Sequence, residues 1–496
     1  MYGKCAMREH GRTSMYCAPR GRKYFIICDR CAILREKRNV RNRLMQETTS
    51  HNTSSRLSIA PASRIYGKPE LPSSKYYTLR YLLAATLAEG ESLIAYPAAS
   101  DDSDALLRGC RALGAELSWT DEQHQTLRVR GIPGISSGRP HATGPITINV
   151  GNAGAVARLL LGLGALLPEI TYTTDHPQSL GKRPNHELLE ALTSLGATCT
   201  GTGPEGCLPV TIRGGQIRGG RVAISGARSS QYLSALLFLA PLIGEPLEIE
   251  VTDGLKSQPL VRATLEVLQE AGIVIEHDST LRHFSIAAGQ CYQPRQYVIP
   301  GDYPSAASLL ALCAASDDPA SELHLSRLRP GEEIGEALLQ VFHDMGADLR
   351  RTGDTVILRG GRRLRGVEVD GDRIIDCIPV LVAAACFAEG ESVFYNIENL
   401  HYKECDRIDD LCAELRRAGC AVLPRQDAII VQGRPQGVEG GVVVDGHSDH
   451  RVLMALAIVG LRSRCGLTLT GVEHIAKSYP HFFAELQRLG VEVRYA

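Results

Sequence analysis

The chain has 496 residues, 44% of them hydrophobic and 22% charged, and a formal net charge of −1. This balance excludes a disordered chain and provides no global field to recruit nucleic acid, so any anion binding must be local. No apolar run reaches the roughly 18 uncharged residues of a membrane span. Fifteen cysteines, an odd number scattered through helix-like patterns, fit a reducing, cytoplasmic compartment.

Residues 1–55 differ from the rest: they are basic, hold Cys5, Cys17, Cys28 and Cys31, and end in the polar run MQETTSHNTSSR. Cys28-x-x-Cys31 lacks a second pair at metal-ligand spacing, so a disordered basic extension is expected in preference to a metal site. A targeting peptide and a start at Met45 remain open alternatives.

From Ser58 onward one pattern recurs: an apolar helix, a Gly/Pro/Glu break, a strand, an amphipathic helix ending at a glycine, then more strand. Apolar helices are predicted to start near Arg80, Ala155, Tyr232, Ser305, Ile378 and Val452. The amphipathic helices end at Gly114, Gly196, Gly272, Gly346, Gly419 and Gly490, at spacings of 82, 76, 74, 73 and 71 residues. A period held five times running marks six small α+β repeats, and the length suits two domains of roughly 200 residues each.

What precedes the apolar helices is polar and selective. In chain order it is Lys75 with Arg80, Asn152 with Gly154, Ser229-Ser230-Gln231, Asp302, Asp376, and Asp449-His450-Arg451. A helix start has unpaired N–H groups and the positive end of the macrodipole, so phosphate and carboxylate are stabilised there. An ordinary N-cap explains any single case. Six together suit one highly charged ligand.

Within the repeats, Lys75 is expected in a loop, with Arg80 one turn into its apolar helix, where a lone cation would be costly. Gly151 and Gly154 around Asn152 let backbone N–H groups approach a ligand. Arg158 suggests an internal anion or a pair between repeats. Lys182-Arg183 precedes Pro184, which suits the first position of an amphipathic helix. Lys256 and Ser257 open the next helix. Asp376 directly precedes an apolar helix, as an N-cap or as a general base. Lys403, Glu404, Asp406 and Arg407 are a solvated helix start or a proton-transfer cluster beside an anion. Arg451 and Lys477 precede the last helices. No catalytic triad, metal motif or P-loop is present.

From about residue 57 to 496 these motifs resemble the 5-enolpyruvylshikimate-3-phosphate synthase (3-phosphoshikimate 1-carboxyvinyltransferase) family. Gly151-Asn152-Ala153-Gly154 resembles its GNAG signature. Arg183-Pro184, Ser229-Ser230-Gln231, Ser257, Asp376, Asn399, Lys403-Glu404-x-Asp406-Arg407, Asp449-His450-Arg451 and Lys477 follow in the family's order. The resemblance implies an α+β (α/β repeat) enolpyruvyl transferase fold with two domains, each of three βαβαββ units, closing like a clamp. The expected boundaries are 73–296 for the first domain, with 56–72 and 297–496 forming the second.

The implied reaction adds a hydroxyl of shikimate 3-phosphate across the double bond of phosphoenolpyruvate and then eliminates phosphate, with no metal or organic cofactor. By resemblance, Asp376 and Glu404 transfer protons with Lys75 and Lys403. Lys75, Asn152, Gly154, Arg183, Gln231, Arg407, Arg451 and Lys477 hold phosphoenolpyruvate. Tyr76, Arg80, Ser229, Ser230, Gln231, Ser257, Asp376, Asn399 and Lys403 hold the acceptor. A monomer with small-molecule partners alone is expected.

Two departures fall on the acceptor side. Lys75-Tyr76-Tyr77-Thr78-Leu79-Arg80 stands where the family has Lys-Ser-x-Ser/Thr-x-Arg, and Leu260 replaces a common aromatic. A different cyclic alcohol as acceptor is therefore the alternative, and a non-catalytic anion-binding homologue is the alternative of another class. Ala155 and Leu159 replace Thr and Pro of the family's GNAGTAMRP, which predicts reduced glyphosate sensitivity. The UDP-N-acetylglucosamine enolpyruvyl transferases usually carry a reactive cysteine where this chain has Gln178. For RNA 3'-phosphate cyclase chemistry no constellation is present.

Overall fold

The structure is a computed structural model that describes residues 56–62, 64–135 and 144–495. The features expected of residues 1–55 lie outside the described residues.

The described residues form twelve α-helices and six four-stranded sheets. In chain order the helices are α1 (Lys75–Leu87), α2 (Asp101–Ala112), α3 (Gly154–Gly164), α4 (His186–Ser194), α5 (Ser230–Leu239) and α6 (Gln258–Glu270), followed by α7 (Tyr303–Ala314), α8 (Glu333–Asp344), α9 (Ile378–Ala385), α10 (Asp409–Arg417), α11 (His450–Arg462) and α12 (Phe482–Arg488). Odd-numbered helices are buried almost all round. Even-numbered ones bury a single stripe, as Leu188, Leu189, Ala191 and Leu192 do on α4. At Gly114, Gly196, Gly272, Gly346, Gly419 and Gly490 φ lies between 83° and 108°, a left-handed stop at which a side chain would be strained.

Each sheet has the same order. Strand Ile146–Asn149 runs parallel to Ile170–Thr173, with Ile146 opposite Ile170. The latter pairs antiparallel with Cys207–Arg213, Ile170 opposite Ile212, and Thr198–Thr202 lies at the edge. With α3 and α4 as its connections this is a βαβαββ unit, and alternation buries Ile170, Tyr172, Val210 and Ile212 on the helix side. The buried helices then pack on one another: α3 on α5, and α9 on both α7 and α11. Gly162 permits the first contact, since a Cβ there would lie 2.9 Å from the carbonyl oxygen of Ala235.

Three sheets borrow a strand from elsewhere in the chain. Gln296–Val298 runs parallel to Glu91–Ala95 in the first unit, Tyr66–Gly67 parallel to Glu322–Leu325 in the fourth, and Arg56–Ile59 sits between Leu467–Thr470 and Val493–Tyr495 in the sixth. One hydrophobic cluster therefore runs from Tyr77 to Ile299, and a second combines Leu57–Leu71 with residues from Tyr303 to Val493. The chain crosses between them at two adjacent segments. There Ser74 N–H donates to the Pro300 carbonyl at 2.8 Å and Asp302 N–H to that of Pro72 at 2.9 Å. Residues 55–496 form one compact unit.

Three local expectations need correction. Helix α1 begins at Lys75, five residues before the predicted start, because Ser74 accepts the Tyr77 N–H and caps it; Lys75 is in the first turn, not in a loop. Pro184 lies before α4, whose cap position is Asn185. The Pro184 carbonyl instead accepts from Tyr232 Oη at 2.7 Å and Arg158 at 3.1 Å. Asp376 is not an N-cap: it sits in a 3-10 turn, Gly371–Cys377, ahead of α9, and its side chain is used elsewhere.

Candidate active site

The centre of the site is Arg407, which is 2% exposed. It follows the 3-10 turn Glu398–Tyr402 and precedes α10. Its Nε donates to Asp449 at 2.7 Å, one terminal nitrogen to Asp376 at 3.0 Å, and the other to Glu404 at 2.9 Å and to Asp449 at 3.3 Å. Asp449 also caps α11 by accepting the Arg451 N–H at 2.7 Å. One planar fork thus links three acids from three segments, a geometry an ammonium cannot reproduce.

Glu404 carries the next layer. Its Oε1 lies 2.6 Å from Lys477 Nζ and its Oε2 3.5 Å from Arg183. Lys477 Nζ also donates to the Asn152 carbonyl at 2.8 Å, and Ser179 Oγ to the Glu404 carbonyl at 3.0 Å. Arg183 and Asn152 belong to the first cluster's half of the chain, while Glu404 and Lys477 belong to the second's. The GNAG turn and the Arg-Pro loop therefore meet the Lys-Glu and terminal-lysine segments directly. Gly154 is a tight point, where a Cβ would lie 2.6 Å from an Arg183 nitrogen and 3.0 Å from one of Arg158.

Lys403 is 3.8 Å from Asp376, and Lys75 is paired with buried Asp102 at 3.0 Å. Arg451, buried at the start of α11, is 4.0 Å from Asp302. Burial pushes the Asp376 carboxyl up, but Lys403, Arg407, Arg451 and Lys75 outweigh it and hold the group well below the usual carboxylate range. Glu404 follows the same logic: burial opposes, and Lys477, Arg407 and Arg183 win. Burial lowers Lys403 and Lys477. Against the same desolvation, Asp102 and Glu404 raise Lys75. Burial, then Arg451 and Lys75, depress His450 well below its ordinary value, which leaves a neutral imidazole.

The acceptor-side candidates have partners of their own. Ser229 Oγ accepts the Gln231 N–H at 3.3 Å, so Ser229 caps α5, with Ser230 buried in its first turn. Gln231 accepts from Arg158 at 3.0 Å, which makes Arg158 a link between repeats. Ser257, at a left-handed φ of 53°, donates its N–H to Asp372 at 2.7 Å, and its Oγ lies 3.4 Å from Asn399 Nδ2. Tyr76 donates its hydroxyl to Glu332. Arg80 is held apart from the carboxylates: its donors go to Thr264 Oγ1 at 2.8 Å and to the Tyr76 and Leu260 carbonyls, each at 3.0 Å. Its cation, expected to need an anion, is buried on neutral acceptors, and desolvation lowers it to about 10.

Fifteen buried side-chain nitrogen and oxygen atoms lack a hydrogen-bond partner among the described residues, and eight belong to Asn152, Arg183, Asn399, His450 and Arg451. Unpaired buried polar atoms are costly, and those of Asn152, Arg183, His450 and Arg451 belong to residues that interact with Glu404, Lys477 or Asp376, as at a site built for a polar ligand. Sequence reasoning missed Asp102, Asp372 and Glu332. Asp102 reads as one more acid in the first turn of an amphipathic helix, and no spacing signals its contact with Lys75.

A family model described as EPSP synthase (3-phosphoshikimate 1-carboxyvinyltransferase) matches residues 59–486. The chain is 44% identical over 439 residues to the 3-phosphoshikimate 1-carboxyvinyltransferase of Deinococcus radiodurans, covering 88% of this chain and 96% of the relative. With that of Methanocella arvoryzae it shares 36% over 433 residues, 87% and 98% of the two chains. The fold is similar to EPSP synthase from Acinetobacter baumannii, with a TM-score of 0.74 at 24% identity over 89% of this chain and 100% of the other. It is also similar to the enolpyruvyl transferase NikO from Streptomyces tendae, with a TM-score of 0.69 at 18% identity over 90% and 99%. With six βαβαββ units around a cationic cleft and relatives this close along nearly their whole length, the chain belongs to the EPSP synthase family.

Proposed function

We infer that the protein transfers the enolpyruvyl group of phosphoenolpyruvate to a hydroxyl of shikimate 3-phosphate and releases phosphate, a step of the shikimate pathway that supplies aromatic amino acid biosynthesis. The observation that carries this reading is the Arg407 hub, where acids and cations from both halves of the chain converge in one buried cleft.

The chemistry needs cations for the phosphate and carboxylate of phosphoenolpyruvate, a base for the acceptor hydroxyl and an acid for the methylene carbon. Arg183, Arg407, Arg451, Lys477 and Lys75 supply the cations, with Gln231, Asn152 and the close-approach Gly154 beside them. Asp376 takes the hydroxyl proton as the acceptor oxygen bonds to C2, and C3 gains a proton to become a methyl group. Loss of a methyl proton and of phosphate then restores the double bond. Glu404 with Lys75 serves C3, and Lys403 stabilises charge beside Asp376. The acceptor phosphate goes to Ser229, Ser230 and Ser257; Asn399, Tyr76 and Arg80 complete that side.

Before substrates bind, neighbouring cations hold both acids low. Anionic substrates neutralise those cations, which raises Asp376 and Glu404 toward a range suited to proton transfer. No atom changes oxidation state overall, so the steps balance without a redox group.

Relatives named for the shikimate 3-phosphate reaction do not favour a different cyclic alcohol or a non-catalytic homologue. We also propose that 73–296 and 56–72 with 297–496 are domains that close as a clamp, since the two hydrophobic clusters meet through the crossing segments. A cytoplasmic monomer is the remaining part of the proposal; the described cysteines are free, as suits a reducing compartment. Incubating the purified full chain with phosphoenolpyruvate and shikimate 3-phosphate tests the assignment. Phosphate release that depends on both is expected, and none would overturn it.

A further inference from the structure

One buried acid has no part in the chemistry above. Glu332 stands at the cap position of α8, is 6% exposed, and makes no side-chain capping bond. Its Oε1 accepts the hydroxyl of Tyr76 from α1. Its Oε2 is buried without a hydrogen-bond partner among the described residues. The nearby guanidinium groups pair with other residues, Arg329 with Glu266 and Arg351 with Glu336 and Tyr303, and pull the Glu332 carboxyl down only from a distance.

Tyr76 packs against both hydrophobic clusters, and it lines a cleft together with Ser257, Leu260, Ile334 and Asp376. A phenol has one O–H to donate. Because it goes to Glu332, Tyr76 contributes ring surface to the cleft beside Leu260.

We propose that Glu332 is a positioning residue for the acceptor: it fixes the Tyr76 ring as an apolar wall of the acceptor side, and its own ionisation state is felt by an anionic acceptor through that wall. This rests on the acceptor reading given above. The groups facing Glu332 are Tyr76 and Tyr77 of α1, Asp302 and Tyr303 at the start of α7, Arg329 from the loop before α8, Arg351 from strand Asp348–Thr352, and Cys377 before α9. Burial pushes the Glu332 carboxyl up to about 7; the Tyr76 hydroxyl pulls it down, and Asp302 adds to the rise. Below that value the acid is neutral. Above it, a buried negative charge stands behind the wall and opposes the acceptor's anionic groups, so acceptor binding weakens as pH rises.

The test uses the full chain in steady-state kinetics with phosphoenolpyruvate and shikimate 3-phosphate, comparing wild type, E332A, E332Q, Y76F and the double variant Y76F/E332A. At about pH 6, where the acid is neutral, E332A is expected to raise the acceptor KM about tenfold, on the order of one lost hydrogen bond, with kcat and the phosphoenolpyruvate KM moving less than about twofold. The double variant should be no worse than E332A, because the two residues act as a pair. E332Q can still accept from the phenol and should match wild type at about pH 6 while losing the rise in acceptor KM at about pH 8.

Three results would each overturn the proposal: an unchanged acceptor KM in E332A, equal shifts for both substrates, or an E332Q pH profile that overlays wild type. If E332A does not fold, the E332Q profile decides alone. A wild type that releases no phosphate sinks the acceptor reading instead, whereas an active wild type with insensitive variants sinks only the role of Glu332.

Discussion

Replacing Arg407 by lysine keeps a positive charge and removes the fork, so it separates charge from geometry. Arg407 makes four hydrogen bonds to Asp449, Asp376 and Glu404 from a position 2% exposed. A lysine ammonium reaches one of those segments at a time, so two or three of the bonds are lost, at about 1.5–3 kcal/mol each before compensation. Compensation is partial: Glu404 keeps Lys477 and Arg183, and Asp376 keeps Lys403, whereas Asp449 loses its paired contact. The net expectation is a loss of about 3 kcal/mol in stability, read as a lower urea midpoint at unchanged slope. Because the same group orients Asp376 and Glu404 and is proposed above to help hold phosphoenolpyruvate, kcat/KM should fall about a thousandfold. Phosphate release under varied phosphoenolpyruvate, alongside urea unfolding, measures both. A variant within about tenfold of wild-type kcat/KM, with an unmoved midpoint, would refute the hub as the organising element.

Gly154→Ala places a Cβ 2.6 Å from an Arg183 nitrogen and should displace that side chain from Glu404; the phosphoenolpyruvate KM is expected to rise about tenfold with little change in thermal stability, and an unchanged KM contradicts this. Glu404 and Asp376 are both held below their ordinary values, so the stability they add is fully present above about pH 5 and is lost as pH falls through the folded values. The stability gap between wild type and E404Q should therefore shrink between about pH 7 and about pH 3 in urea titrations, and a constant gap argues that Glu404 is not ionised in the folded protein. Ala155 and Leu159 lie on α3 beside Gly154 and Arg158, where reduced glyphosate sensitivity is expected; inhibition at ordinary low concentrations would show that these replacements leave the phosphoenolpyruvate pocket unaltered.

Amino-acid order carried the repeats because each signal is local. A buried helix declares itself through a run such as Tyr232–Leu242, its amphipathic successor through period and a closing glycine, and its start through polar residues within one turn. That was sufficient for the six units and for the polar helix starts; the roles of the candidate residues, and the inclusion of Tyr76 and Asn399 among them, came from the family resemblance. Local signals misplaced the start of α1 and the position of Pro184, and of the two readings of Asp376 the N-cap falls, where a neighbouring cap or a distant arginine outweighs propensity. Tertiary packing decided the pairings: Arg407 with Asp376 and Asp449, Lys75 with Asp102, Tyr76 with Glu332, and the strands lent between distant parts of the chain. Such contacts join residues tens to hundreds of positions apart, and the chemistry of each side chain permits many partners, so only the folded chain selects among them.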